Sequence, residues 1–255
     1  MTMPDGQVNA LLLDLEGTVT SIDFVYQVLF PYARRRVGDF LERHAAAEEV
    51  RADLARLREE WEADERGGGN PPAYQDQTLG ARLESTVAYL HWLMDRDRKS
   101  TPLKSLQGKI WEEGYRAGEL KSRIFADVPA ALERWHRERR QIAIFSSGSV
   151  LAQQLFLAHT EAGDLTGLIG GYFDTRVGTK SDPESYRRIA GALRRLPAEI
   201  VFISDVTAEL QAARAAGMQP VLSIRPGNHP QPDPEAYPQL TNFDDLRFGD
   251  PGGPS

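Results

Sequence analysis

Four short apolar runs punctuate the chain: Ala10-Leu11-Leu12-Leu13, Ile142-Ala143-Ile144-Phe145, Ile200-Val201-Phe202-Ile203 and Pro220-Val221-Leu222-Ser223-Ile224. None alternates with polar residues, as a strand with one wet face would. Unbroken runs of this length suit strands covered on both faces, the usual state of a parallel sheet. Helical spacing fills the gaps between the later runs. Pro129 to Arg139 places Leu132 and Trp135 on one inner face, Tyr186 to Leu196 forms a second helix, and a third runs from about Ala208 to Ala216. The third stops at Gly217, a residue type favoured just past a helix end. Ser181 and Glu184 read as a capping box ahead of the second, with Pro183 in its first turn. Strand and helix in alternation predict an α/β fold, a doubly wound parallel sheet with right-handed crossovers.

The stretch between the first two runs is different. From about Ser21 to Ser122 only helical patterns occur. Glu48 to Glu65 is a charged amphipathic helix carrying Val50, Leu54, Leu57 and Trp61, broken by Arg66-Gly67-Gly68-Gly69-Asn70-Pro71-Pro72. Leu79 to Met94 and Leu103 to Tyr115 follow as further helices. The pattern predicts a core of residues 1–20 and 123–255, with an all-helical domain, 21–122, inserted after the first strand. The tail, Phe248 to Ser255, is rich in Gly and Pro and is expected to fray.

Composition narrows the function. With 41% apolar and 26% charged residues in 255, this is an ordinary globular chain. Its formal charge of −7 repels nucleic acid. The one dense basic run, Arg34-Arg35-Arg36, reads as a solvated helix face. There are no cysteines, which excludes disulfides, thiolate catalysis and Cys-bound zinc and fits a reducing compartment. Met1 to Ala10 lacks the features of a signal peptide, and no apolar run approaches the roughly 20 residues that span a bilayer. A soluble, cytoplasmic protein is expected.

Four features fall at strand ends or ahead of helices, where open α/β sheets bind ligands. In Asp14-Leu15-Glu16-Gly17-Thr18-Val19-Thr20, residues i and i+2 put two carboxylates on one side of a tight turn. Such a pair repels unless a cation or a shared proton intervenes, and hard oxygen donors suit magnesium. Ser146-Ser147-Gly148-Ser149 offers hydroxyls and backbone N–H groups to an anion ahead of a helix. Lys180 precedes the capped helix and can neutralise phosphate charge there. Ser204-Asp205 ends the third run, where Asp205 can complete a magnesium site with Asp14 or cap the next helix.

In chain order these features resemble the haloacid-dehalogenase superfamily of aspartate-nucleophile phosphatases, a Rossmann-like core with an inserted cap. Asp14-Leu15-Glu16-Gly17-Thr18 is similar to its acireductone synthase branch, the enolase-phosphatases of methionine salvage. So are Val28-Leu29-Phe30-Pro31-Tyr32-Ala33, Leu103 to Trp111, Gly118-Glu119-Leu120-Lys121 and Gly171 to Gly178. The turn reads Thr18-Val19-Thr20, where that branch carries a hydroxyl at the middle position. The resemblance implies that Asp14 forms an aspartyl-phosphate and that one magnesium ion is held by Asp14, Glu16 (through its main-chain carbonyl) and Asp205. It implies that Ser146 and Ser147 hold phosphate and that Lys180 bridges phosphate and Asp14. The implied substrate is 2,3-diketo-5-methylthiopentyl 1-phosphate, and the implied state is a monomer. Glu16 is a candidate for protonating the leaving oxygen and then activating water. Enolisation needs a base as well; Glu16 and groups of the helical domain such as Lys104 are candidates.

Other readings are weaker. A dehalogenase has no use for Glu16 and Asp205. A phosphomutase fits the core motifs but not the cap segments. A binding module without activity is expected to lose Asp14, Lys180 or Asp205. His44, His91, His136, His159 and His229 show no metal-ligand spacing, and Trp61, Trp92, Trp111 and Trp135 lie in helical patterns that favour packing, with Trp111 open as a ligand contact.

Overall fold

The computed structural model describes residues 8–248, and the chain divides into two compact units with junctions after Val25 and after Leu120. The patterns had put the junctions at 20/21 and 122/123. A short helix α1 (Ile22–Phe24) stays with the sheet-bearing unit because Phe24 packs edge-on to Phe156, centroids 5.8 Å apart. At the other junction Ser122 is drawn in by its N–H bond to the His159 carbonyl. The expected fraying of the tail falls almost wholly on residues outside the described ones.

The unit from Tyr26 to Leu120 is helical throughout: α2 (Phe30–His44), α3 (Glu48–Arg66), α4 (Leu79–Asp95) and α5 (Thr101–Arg116). Each helix buries one stripe, for example Val37, Phe40 and Leu41 on α2 and Leu103, Leu106 and Ile110 on α5. On α3 the buried positions are Val50, Asp53, Leu57 and Trp61, whereas Leu54 is only half-buried. Asp53 tolerates burial because Lys109 Nζ (2.7 Å) and Ser105 Oγ (2.8 Å) both reach its carboxylate, and a paired charge escapes most of the desolvation penalty. The arginine run lies on a solvated helix face, as expected, where Arg34 pairs with Asp95 at 2.8 Å and Arg36 with Glu119 at 2.5 Å. Tyr32 Oη also donates to Glu119 (2.8 Å), so the start of this unit is tied to its end. An inserted unit needs its two ends close, and these bonds hold them so. Trp111 packs: it stacks on Phe30 and donates Nε1–H to the Leu29 carbonyl (2.9 Å).

The other unit carries one sheet of six strands, β1 (Ala10–Leu13), β2 (Gln141–Phe145), β3 (Gly171–Phe173), β4 (Ile200–Ser204), β5 (Gln219–Ser223) and β6 (Gln239–Leu240). The order is β3-β2-β1-β4-β5-β6, with every pair parallel. This is the doubly wound α/β core expected from the patterns. Two edge strands were not legible: β3 is three half-buried residues and β6 only two, too short to show a period.

Among the described residues four helices longer than α1 accompany the sheet: α6 (Val128–Arg137), α7 (Val150–Ala158), α8 (Pro183–Leu193) and α9 (Thr207–Ala215). Tyr186, Ile189 and Leu193 of α8 and Leu210 and Ala213 of α9 pack with Leu12, Phe145 and Phe202. Leu11 and Leu13, pointing the other way, are equally buried, so β1 is dry on both faces. The predicted capping box at Ser181 is corrected. Asp182 is the N-cap of α8, its side chain accepting from Glu184 N–H, and Ser181 lies outside the helix. The helix ends at Leu193 rather than Leu196, because Arg194 turns left-handed at φ 55°.

Candidate active site

All the site residues discussed next lie in the sheet-bearing unit, at the carboxyl ends of its strands. Strand β1 delivers Asp14, which is 3% exposed and whose N–H continues the ladder to the Ile203 carbonyl (2.9 Å). The chain then turns back on itself. Val19 and Thr20 N–H both reach the Leu15 carbonyl, and Gly17 N–H reaches Thr20 O at 2.8 Å. Gly17 must be glycine for two reasons. Its φ is +71°, and a Cβ there would sit 2.3 Å from Asp205 Oδ2. Asp205, which follows β4, therefore lies directly against the turn that holds Asp14 and Glu16.

Lys180 joins this group from the loop before α8. Its Nζ is 2.6 Å from Asp14 Oδ1 and 2.8 Å from Glu209 on α9, and 5.8 Å from the Phe145 ring. The Lys180 carbonyl is fixed by Tyr186 Oη (2.7 Å). Ser204 Oγ lies within reach of Asp14 Oδ2 (3.1 Å) and Glu209 Oε2 (2.9 Å). A hydroxyl has one proton to donate, so the two carboxylates share it. From the end of β2, Ser146 Oγ donates to Glu16 Oε2 (3.2 Å) and accepts from Gly148 N–H (3.1 Å). Ser147 is exposed beside it, and Ser149 caps α7.

The electrostatics are those of crowded acids around one cation. Burial alone would lower the Lys180 pKa, but the charges of Asp14 and Glu209 outweigh it and hold the ammonium above its ordinary value. Burial, then the Asp14 charge, push Glu209 up to about 7 against the pull of Lys180. The same two causes push Asp205 up to about 7 and raise Glu16. Four carboxylates, Asp14, Glu16, Asp205 and Glu209, thus surround a single lysine. Like charges at this density disfavour one another's ionisation.

That excess suits a divalent cation. Among the described residues no three His, Cys, Asp or Glu side chains gather into a ready-made metal cage. Magnesium asks for less, since it takes one or two carboxylates and keeps several waters. Asp14 and Asp205 can supply two carboxylates and the Glu16 main chain a carbonyl. The donor set fits.

The structure brings together Asp14, Glu16, Ser146, Lys180 and Asp205, which were singled out from the sequence. Lys104, the other candidate base, is exposed on α5 in the helical unit. Sequence reasoning missed Glu209, although an acid one helical turn past Asp205 was a usable sign. It also missed two residues that grip the turn: Ser223 Oγ (3.1 Å) and Asn228 Nδ2 (3.0 Å) both donate to the Gly17 carbonyl. Ser223 was hidden inside an apolar run. Asn228 lies 211 residues from its partner, and nothing local marks it.

A family model described as haloacid dehalogenase-like hydrolase matches residues 8–217. A protein named Enolase-phosphatase E1 from Synechococcus elongatus is 53% identical over 221 residues, which is 87% of this chain and 90% of the relative. Its namesake from Methylococcus capsulatus is 43% identical over 240 residues, 94% and 98% of the two chains. Among solved structures, the UTR4 protein of Saccharomyces cerevisiae superposes with a TM-score of 0.76 at 31% identity, covering 94% of this chain and 100% of that one. The chain therefore belongs to the haloacid dehalogenase-like hydrolases and, within them, to the enolase-phosphatase E1 proteins.

Proposed function

We propose that the chain converts 2,3-diketo-5-methylthiopentyl 1-phosphate to the acireductone 1,2-dihydroxy-3-keto-5-methylthiopentene and phosphate, a step of methionine salvage. The observation that carries this reading is the meeting of Asp14, Lys180 and Asp205 on one sheet edge, in a chain 53% identical to a named enolase-phosphatase.

Asp14 is the nucleophile. Its carboxylate oxygen attacks phosphorus as the bond to the substrate oxygen breaks, leaving an acyl phosphate on Asp14. Lys180, held charged between Asp14 and Glu209, neutralises the phosphoryl group without having to move into place. Such preorganised charge is worth most where water is excluded. Ser146 and the N–H groups after β2 hold phosphate oxygens, with Ser147 beside them. Glu16, on the same turn as Asp14 and reached by Ser146 Oγ (3.2 Å), gives a proton to the leaving oxygen. It then takes one from the water that attacks the acyl phosphate, releasing phosphate and restoring Asp14. Asp14, Asp205 and the Glu16 carbonyl would hold magnesium, which would supply charge neutralisation to the reaction. Enolisation needs a carbon-bound proton removed; Glu16 and groups of the helical unit such as Lys104 remain candidates.

No helix is long and apolar enough to cross a membrane among the described residues. For a small, water-soluble substrate we place the reaction in the cytoplasm, with the chain acting as a monomer. A dimer at equilibrium in sedimentation would overturn the second point. The activity is tested with the diketone phosphate, magnesium and a chelator, following enediol absorbance and phosphate together. Both signals should appear with magnesium and vanish with the chelator. Phosphate release without any enediol would leave a phosphatase of another substrate class.

A further inference from the structure

A cavity of about 390 Å³ opens at the sheet edge away from Asp14. Strand polarity sets its position. It is lined by Gln141, where β2 begins, by Gly170, just ahead of β3, and by Arg195, a few residues before β4, whereas Ser146 and Asp205 follow the far ends of β2 and β4. Along β2 the two ends are about 16 Å apart at roughly 3.3 Å per residue.

Its lining is cationic. Arg139, Arg140, Arg195 and His136 contribute, and no Asp or Glu does. That is unexpected in a chain of formal charge −7, where acids outnumber bases. Two acids stand close to this lining. Glu138 neutralises Arg140 at 3.0 Å, and Glu199, held low chiefly by the Leu196 N–H and in part by the charge of Arg195, bonds that N–H (2.7 Å) and Asn9 (2.6 Å). Arg139 and Arg195 make no ion pair among the described residues. The Arg195 Nε–H is moreover buried and has no acceptor. That atom is closed off from the cavity, so what Arg195 brings to the cavity wall is its charge rather than this donor.

We propose that this cavity is a second anion site, binding a small phosphate-bearing ligand through Arg139 and Arg195. A planar guanidinium with several donors is the group best matched to phosphate oxygens. The volume sits at the small end of ligand clefts, roughly 300–1,000 Å³, so it accepts a phosphate or a phosphate monoester and excludes a folded partner. Arg139 is exposed at φ +58° just after α6, so its side chain can reach inward without disturbing the fold.

The test counts sites. Equilibrium dialysis of the full chain against inorganic phosphate, and separately against glycerol phosphate, is run for the wild type, Arg139→Gln and Arg139→Gln/Arg195→Gln. The wild type should bind two equivalents of at least one probe. The double variant should bind one, with activity on the diketone phosphate unchanged. The single variant should weaken the second equivalent at least about tenfold, since one charge-assisted contact commonly contributes that much; it also covers the case in which the double variant folds poorly. Preference for glycerol phosphate would point to a phosphorylated metabolite, and equal binding to free phosphate. One equivalent in the wild type that the double variant keeps, or two in a well-folded double variant, overturns the proposal. A failed catalytic site would instead remove the equivalent that the arginine variants keep, so the two failures are distinguishable.

Discussion

At the scale of single residues, the site depends on how four acids share one lysine. Glu209 makes no proposed contact with substrate, yet it holds the Lys180 ammonium at 2.8 Å and competes with Asp14 for the Ser204 proton. Glu209→Gln should lower kcat about 10- to 100-fold with little change in KM, because a catalytic charge displaced by a fraction of an ångström loses rate before it loses binding. Steady-state kinetics on protein with an unchanged melting curve reads this directly; a full kcat would remove Glu209 from the account. Legibility at this scale followed chain position. Asp14 and Ser146 stand directly after an apolar run and Asp205 one residue further on, so the strand pattern pointed at them. Glu209 stands inside a helix, where an acid in the first turn has an ordinary structural explanation in the helix dipole.

At the scale of elements, the turn from Asp14 to Thr20 is the piece that must hold still. Its own bonds close it around Gly17, but the Gly17 carbonyl is fixed from outside by Ser223 at the end of β5 and by Asn228 beyond it. Removing both donors by Ser223→Ala with Asn228→Ala should cut kcat about tenfold or more, while Ser223→Thr alone, which keeps a hydroxyl, should retain most activity. If the double variant matches the wild type in kcat, the turn holds itself. Strands β1, β2, β4 and β5 were readable as apolar runs because a doubly covered parallel strand has no polar face to hide. Strands β3 and β6 were not, since three and two residues carry no period. The end of α8 was missed for a local reason: Arg194 adopts a left-handed conformation that is uncommon for residues other than glycine.

At the scale of the whole molecule, the insertion of one unit into another explains why a sheet interrupted by about a hundred residues still closes. Within the helical unit, Glu119 receives both Tyr32 and Arg36, and in the sheet-bearing unit Arg225 fastens the C-terminal segment to α6. Arg225 and Asp127 form a paired contact at 2.8 and 3.1 Å, with Arg225 4% and Asp127 8% exposed, and Phe125 and Phe243 each 4.6 Å from the guanidinium. Arg225→Met leaves the Asp127 carboxylate without its countercharge, with the Phe243 N–H (2.6 Å) as its remaining donor, and should cost about 3–5 kcal/mol of folding stability. Chemical denaturation measures this; a loss below about 1 kcal/mol would mean that Asp127 finds solvent or another donor. The composition foretold none of this, because a lone arginine in a loop looks like any surface residue until the fold surrounds it.

The central claim is that Asp14 carries the phosphoryl group. Acid quenching during turnover of the diketone phosphate, followed by peptide mass analysis, should find a phosphoryl group on the peptide containing Asp14. It should be absent from Asp14→Asn, together with phosphate release. Phosphate release by Asp14→Asn at the wild-type rate would contradict the account.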